Sequence, residues 1–254
     1  MQYYQTQVRR LLQNPSAPVA LYSDTDINSW INTARGQLAG EAECVRYLAT
    51  LTTTAGVNNY AFSSLNTGVA ATTGISGVIN VRSVMYAVGQ GYQWVTPRPW
   101  PWFQLYHMNN PVPLSAAPLV WSQFAQGGAA TPAASTAGAL SSSGGSFYID
   151  PPPDIAYTLL LDCVCYPIAL TSDTTVEAIP YLWTDTVPFF AAWFALLSAQ
   201  MQARRADAEA YFNYYQTFLQ RARQFANPSV NRYMYEQAED PARLNKLGIT
   251  QKAG

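Results

Sequence analysis

The first part of the chain carries apolar side chains at helical spacing. Val8, Leu11 and Leu12 indicate a first helix, which Pro15 ends. A cluster of N-cap residues at 23–26 then predicts the start of a longer helix, because their side-chain oxygens can accept its free N–H groups. The apolar residues of this second helix share one face: Ile27, Trp30, Ile31, Ala34 and Leu38.

The helical spacing continues, with one interruption, to about residue 51. Gly40 breaks the pattern, and a further segment begins at Glu41. Its apolar residues keep helical intervals: Ala42, Val45, Leu48, Ala49 and Leu51. We therefore expect two helices, or one kinked helix, after the N-cap cluster.

The helical spacing disappears between about Tyr60 and Pro167, where Gly, Ser, Thr and Pro become frequent. Residues 127–145 are rich in Gly, Ala and Ser and predict a long flexible loop. Only five charged side chains fall within residues 60–170, so the edges of this neutral region need protection, which neighbouring copies would supply. Alternating or mostly apolar runs predict β-strands at residues 78–86, 119–125, 147–149 and 157–166.

The last third of the chain returns to helical spacing. A short helix is expected at residues 173–182, and Pro188 suits the first turn of a long helix that Asn227 and Pro228 end. From residue 190 to 225, positions spaced alternately by four and three residues form a regular seam. Ten of its eleven positions are apolar or aromatic. The seam predicts a single helix about 57 Å long at 1.5 Å per residue.

A seam in which only Arg204 is charged predicts packing against other helices along its whole length. We therefore expect the seam to contact neighbouring subunits. The residues expected there are Phe194, Leu197, Met201, Tyr211, Tyr215 and Phe218.

Helical ends and a β-rich middle predict an α+β fold. Its helical bundle is formed by the N- and C-terminal segments, residues 1–56 and 172–226, and includes the long C-terminal helix. Residues 57–171 form an inserted β-rich domain. Residues 227–254 lack apolar periodicity and are an extended C-terminal tail, either an arm that grips a neighbour or a disordered end.

The composition favours a protein covered by partners. Only 11% of the 254 residues are charged, against about 25% in an ordinary soluble domain. The 17 Tyr and 7 Trp, with only two Lys, match the residue preferences of interfaces. A net charge of −1 excludes a strong basic footprint for nucleic acid. Neither a membrane span nor a signal peptide is indicated, so we expect maturation in the cytoplasm.

The sequence offers little chemistry for catalysis or metal binding. His107 is its only histidine, and neither a nucleophile elbow nor a phosphate loop is present. Cys163 and Cys165 would share one face of a strand, but no further ligands complete a metal site. We therefore expect no enzyme activity, no cofactor and no metal.

A glycan site is the alternative that the middle region leaves open. Asp150 and Asp154 could serve as paired carboxylates, beside sugar-stacking aromatic residues at Trp100, Trp102 and Trp121. The three prolines between the two aspartates favour instead a rigid, extended turn.

Three stretches resemble the adaptor, or head-to-tail connector, proteins of tailed bacteriophages, particularly the short-tailed phages. The first is residues 26–46. The second is Phe147–Asp154 with the neighbouring Tyr157–Leu159 and Leu161–Asp162. The third is the Gln- and Arg-rich end of the predicted long helix, residues 191–225. The resemblance spans residues 24–225.

The resemblance implies a non-enzymatic virion protein at the phage neck. It implies a homo-oligomeric, twelve-fold ring whose central channel passes double-stranded DNA without sequence recognition. The C-terminal arm would hold the portal protein, and the β-rich region would face the tail nozzle or tail tube. Carried onto this chain, the portal anchors are Tyr233, Tyr235, Arg243 and Leu244. Another virion structural protein, such as a tail-tube or minor capsid protein, is a further alternative.

Overall fold

A computed structural model of the chain describes residues 1–14, 21–89, 91–109, 115–125, 144–198 and 204–226. Within these ranges the fold is α+β, as the sequence predicts. Its helices are α1 (Gln2–Leu12), α2 (Asp24–Ala42), α3 (Ala70–Thr73), α4 (Trp100–Asn109), α5 (Val187–Ser198) and α6 (Arg205–Ala226). Its strands are β1 (Arg46–Thr52), β2 (Asn59–Ala61), β3 (Ile75–Val88), β4 (Gly91–Pro97), β5 (Val120–Phe124), β6 (Ser146–Asp150) and β7 (Thr158–Pro167).

The two N-terminal helices confirm the first part of the apolar pattern. α1 buries Val8 and Leu12. Ser23 caps α2, since its Oγ accepts a hydrogen bond from the backbone N–H of Asp26 at 3.1 Å. The buried side chains of α2 include Ile27, Ile31, Ala34 and Leu38.

The prediction of a second helical segment from Glu41 onward is wrong beyond Ala42. α2 runs through Gly40, and Glu43 follows it with a left-handed φ of 52°. Residues 46–52 form β1 instead, which pairs antiparallel with β7. Ala49 and Leu51 are buried and flank a partly exposed position, a two-residue period that the helical interpretation overlooked. Pairing with β7 overrides the local helical spacing.

The seven strands form one curled sheet in the order β1-β7-β3-β4-β5-β6-β2. Its neighbours pair antiparallel, except for the parallel pair β4–β5. The predicted strands in the middle region are confirmed as β3, β5, β6 and β7. Most of the predicted loop, residues 126–143, lies outside the described residues.

Strand β7 lies between β1 and β3 and has two different faces. Leu159, Leu161 and Cys163 are fully buried and belong to one hydrophobic core with residues of β5, β6 and the helices. The opposite face carries Leu160 and Tyr166. α2 covers the Tyr166 end of that face so closely that a Cβ added at Gly36 would lie 3.3 Å from a Tyr166 ring carbon.

The single long helix predicted between residues 188 and 225 is wrong, because α5 and α6 pack against each other. The ring centroids of Phe190 and Tyr215 are 4.8 Å apart, and those of Phe189 and Phe218 are 5.9 Å apart. Phe189 and Phe218 would be roughly 44 Å apart in one continuous helix. The aromatic residues of the seam therefore pack against one another within one chain.

Arg204, the charged position of the seam, caps another helix. Its guanidinium donates to the carbonyl oxygens of Leu12 at 2.7 Å and Leu11 at 3.1 Å, at the end of α1. A cation at this place satisfies free carbonyls and complements the helix dipole. The exception in the apolar pattern thus has a structural role in joining α1 to α6.

The short helix expected at residues 173–182 is also wrong, since this segment is irregular and is followed by a 3₁₀-helix at Tyr181–Thr186. Its acidic side chains bind groups elsewhere in the chain. Asp173 accepts a hydrogen bond from the backbone N–H of Gln2 at 2.7 Å. Glu177 forms an ion pair with Arg35 of α2 at 2.7 Å. These long-range bonds stabilise an extended path that local spacing does not reveal.

We call α1, α2, α5 and α6 the helical half of the fold. Arg35 is its buried polar centre. Its side chain is 1% exposed, and besides Glu177 it donates to the carbonyl oxygen of Ile168 at 2.6 Å. Asn32, one turn earlier, holds the backbone of Leu170 through both its amide oxygen and its amide nitrogen. A buried charge needs such complete pairing, and the network fixes α2 to the segment that follows β7.

Candidate interaction surfaces

The last described residue, Ala226, ends α6 at a fixed place on the sheet. Its carbonyl oxygen accepts hydrogen bonds from Arg82 Nη1 of β3 at 3.2 Å and from Arg46 Nη1 of β1 at 3.4 Å. Two cations at a helix C-terminus satisfy a free carbonyl and complement the helix dipole. The structure therefore fixes the point from which residues 227–254 continue.

Both arginines are themselves held by carboxylates. Arg46 pairs with Asp162 of β7, and Arg82 lies 3.5 Å from Glu43. One turn before the end of α6, Arg223 donates to the carbonyl oxygen of Glu41 at 2.8 Å. We call Arg46, Arg82 and Arg223 the arginine junction. It connects the end of α6 to β1, β3 and α2.

A small polar groove of about 220 Å³ lies beside the junction, between α2 and strands β3 and β7. The carboxylates in its lining already have partners. Glu41 accepts hydrogen bonds from Gln37 and Tyr215 and forms an ion pair with Arg223, and Glu43 pairs with Arg82. Burial, followed by the Glu41 charge, raises the pKa of the Tyr215 hydroxyl. The groove is thus part of the framework that holds α6.

The outward face of the sheet carries a row of neutral side chains across four strands. Thr50 of β1 lies opposite Leu160 of β7, Leu160 lies opposite Met85 of β3, and Met85 lies opposite Trp94 of β4. Directly opposed residues share one face of a sheet. Leu48 lies on the same face, two residues before Thr50. We call these five residues the sheet strip.

The sheet strip is exposed at Leu48 and Trp94 and partly buried between them, within the described structure. Leu48 is 53% exposed and Trp94 is 45% exposed, while Leu160 and Met85 are partly buried. The neighbouring Asp162, opposite Leu48, already pairs with Arg46. An exposed apolar strip across several strands is typical of a contact site.

Large apolar side chains are exposed in other places too. At the turn between β3 and β4, Val88 is 49% and Tyr92 is 62% exposed. In the 3₁₀-helix, Tyr181 is 93% exposed and Leu182 is 68% exposed. Phe225 of α6 is 70% exposed, although its ring centroid lies 5.7 Å from that of Trp183.

The residues predicted to contact other subunits occupy different environments. Tyr215 is fully buried within the chain, and Tyr211 donates to the carbonyl oxygen of Leu11 at 2.9 Å. Phe194 and Phe218 are partly buried and have ring neighbours within the α5–α6 pair. Leu197 is 51% exposed. Met201 lies outside the described residues, and the subunit contact itself stays a prediction.

The residues of the glycan alternative do not line one open site. Asp150 and Trp121 are buried, at 4% and 5% exposure. Asp154 is exposed and accepts a hydrogen bond from Tyr157 at 2.7 Å. Trp100 packs among Phe103, Phe124 and Tyr148 with ring centroids 4.7 to 6.0 Å apart. Trp102 is partly exposed and lies under the Arg98 guanidinium. Trp100 is thus packed among other rings, and the more exposed Asp154 and Trp102 contact Tyr157 and Arg98.

The three cysteines are buried and free. Burial raises the pKa of Cys44 to about 11 and that of Cys165 to about 12, and it raises the pKa of Cys163 as well. These thiols are therefore protonated at neutral pH. His107 lies in α4. In the described ranges, no three or more His, Cys, Asp or Glu side chains are grouped to hold a metal ion, and no helix combines the length and apolarity of a membrane span.

Sequence reasoning overlooked both the arginine junction and the sheet strip. Four of the five members of the strip come from β1, β3 and β7. They become neighbours only through the register in which β7 pairs with β1 and β3. The alternation within β7, where Leu159 and Leu161 flank Leu160, contained a signal for a second apolar face. The predicted portal anchors Tyr233, Tyr235, Arg243 and Leu244 lie outside the described residues.

An aromatic-rich, weakly charged composition is typical of a protein that acts through contacts with other chains. The chain belongs to the SU10 adaptor protein family, whose family model matches residues 4–243. It is therefore a phage adaptor and a structural component of the virion. The resemblance to phage adaptors is confirmed at the level of the family. No curated protein matches the chain.

Proposed function

We propose that this adaptor forms a ring at the neck of a short-tailed phage, where it joins the portal to the tail and surrounds the DNA exit channel. Twelve copies would form the ring. The observation that carries the proposal is the arginine junction, which fixes the end of α6 at the sheet through Arg46 and Arg82. A fixed base lets the following segment leave every subunit in the same direction.

Residues 227–254 are the proposed portal-binding arm. They contain Tyr233, Tyr235 and Arg243, which are residue types that dominate binding hot spots, followed by Leu244. The family match extends past α6 to residue 243, so most of the proposed arm belongs to the family pattern.

The remaining surfaces suit the other contacts of a ring. Leu197, at the end of α5 and half exposed, is the best placed of the predicted subunit contacts. Val88 and Tyr92 at the β3–β4 turn would face the tail nozzle or tail tube. A channel wall of low charge would let double-stranded DNA pass, because few phosphates would be neutralised.

The proposal is tested by mixing the purified full chain with the portal of the same phage. Negative-stain images should show stacked rings, and Tyr235→Ala with Arg243→Ala should abolish stacking. The matched control is Tyr92→Ala with Arg205→Ala, since Arg205 is highly exposed and pairs only with the exposed Glu209 within the described structure. A chain that remains a monomer with portal present, or that stacks equally well without both anchors, contradicts the proposal.

A further inference from the structure

The sheet strip lies close to the place where the chain leaves α6. Arg46, whose guanidinium reaches the carbonyl oxygen of Ala226, is on β1 two residues from Leu48 and four from Thr50. Its cross-strand partner on β7 is Val164, and Leu160 lies four residues before it. Four residues of strand span about 13 Å.

The segment that follows Ala226 is long enough to reach the strip. Residues 227–233 span about 23 Å when extended. The strip itself crosses four strands, about 14 Å at the usual strand spacing. Tyr233 can therefore lie over Leu160 and Met85 while Ala226 stays bound to the arginine junction.

The segment that follows Ala226 is mostly uncharged up to residue 235 and rich in charged residues after it. Residues 227–235 contain Val230, Tyr233, Met234 and Tyr235 and a single charged side chain, Arg232. Charged residues follow closely in the remainder: Glu236, Glu239, Asp240, Arg243 and Lys246. The apolar part of the segment is thus the part that can lie on the strip. The nearby arginines, Arg46 and Arg82, are already paired with Asp162 and Glu43.

We propose that residues 227–235 pack on the sheet strip of their own chain in the free subunit, with Tyr233, Met234 and Tyr235 covering Leu48, Leu160 and Met85. This inference goes beyond the proposed function, because it concerns the free subunit and holds whatever protein the segment contacts in the particle. Assembly would then exchange one apolar contact of the segment for another.

Site-specific photo-cross-linking of the full chain tests the proposal. p-Benzoylphenylalanine replaces Leu48, and peptide mass spectrometry identifies the cross-linked residues. A mixture of isotopically light and heavy chains separates bonds within one chain from bonds between chains. The expected product joins position 48 to residues 227–235 of the same chain.

Leu21 provides the matched control position. It is 70% exposed and its backbone N–H is bound by Asn14, just after α1. Arg204, at the opposite end of α6 from Ala226, caps that same end of α1. The length of α6, about 33 Å, separates the two ends. The probe at residue 21 should not label residues 227–235.

A second set of variants keeps the probe at residue 48 and changes the segment. Tyr233→Ala, Met234→Ala and Tyr235→Ala together should lower the intrachain cross-link by about tenfold or more, because three apolar contacts are removed. Glu236→Ala, Glu239→Ala and Asp240→Ala together should leave it unchanged. Cross-links to a second copy, or equal labelling from residues 21 and 48, would overturn the proposal. The portal-stacking experiment is independent of all these outcomes.

Discussion

In the α5–α6 pair, aromatic rings pack against one another inside one chain, whereas in the sheet apolar side chains lie on both faces. Phe190 and Tyr215 are buried between the two helices. On β7, by contrast, Leu161 belongs to the core and its neighbour Leu160 faces outward among other neutral side chains. The helical half thus completes its packing alone, and the outward sheet face leaves apolar area for a further segment or partner.

The difference follows from how the two elements present their side chains. A helix that is apolar around its circumference is covered by several neighbours, and α5 packs against α1, α2 and α6 of its own chain. A strand presents alternate residues to opposite faces, so a strand that is apolar at consecutive positions needs cover on both sides. The described residues cover the inward face of β7 and, through α2, only one end of the outward face.

The largest effect should come from breaking the buried ion pair of the helical half. Arg35→Ala leaves Glu177 without its buried partner and removes the donor to the carbonyl of Ile168. We expect a loss of about 3–5 kcal/mol in the free energy of unfolding, measured by urea denaturation. Arg205→Ala, which breaks an exposed pair, should cost about 0–1 kcal/mol. Similar losses for both variants would show that the Arg35 network is not buried.

The next effect separates the two faces of β7 directly. Leu161→Ala should lower the free energy of unfolding by about 2–5 kcal/mol, because the side chain is fully buried. Leu160→Ala should cost less, about 1 kcal/mol, because only part of its area is removed from water. Chemical denaturation of the two single variants measures both values. Equal costs would mean that the outward face is as fully covered as the core.

The sequence predicted most strands and the first two helices, but it could not predict which surfaces remain uncovered. Ser23 and the apolar face of α2 are local signals, and both are confirmed. The helical spacing of residues 42–51 was misleading, because pairing with β7 decides the conformation of β1. Whether the seam of residues 190–225 contacts its own chain or another also depends on a chain reversal that no local pattern marks.

The arginine junction was beyond prediction for the same reason. Its residues come from β1, β3 and α6, far apart in the sequence, and converge only after the sheet has formed. Arg82 stands in otherwise neutral sequence surroundings, and this isolation was a sequence signal that it has particular partners.

A smaller effect is expected from releasing the end of α6. Arg46→Met with Arg82→Met removes both donors to the Ala226 carbonyl and should cost about 1–2 kcal/mol, since each contributes a partly exposed charge at a helix end. Amide hydrogen exchange should accelerate in the last turn of α6, at residues 222–226, and stay unchanged near residue 208. Uniform acceleration along α6 would contradict a local role for the junction.

The smallest effect concerns the segment that follows β7. The backbone N–H of Gln2 binds the Asp173 carboxylate and lowers its pKa below the usual value of 3.8. A carboxylate with a lowered pKa in the folded state stabilises the fold above the unfolded pKa, and this contribution disappears as the pH falls through the folded pKa. Asp173→Asn should therefore shift the urea midpoint slightly at pH 6, and the shift should vanish near pH 2. A shift of the same size at both pH values would mean that Asp173 acts through its shape and not through its charge. The ion pair between Arg35 and Glu177 would then be the charged link that matters among the described residues.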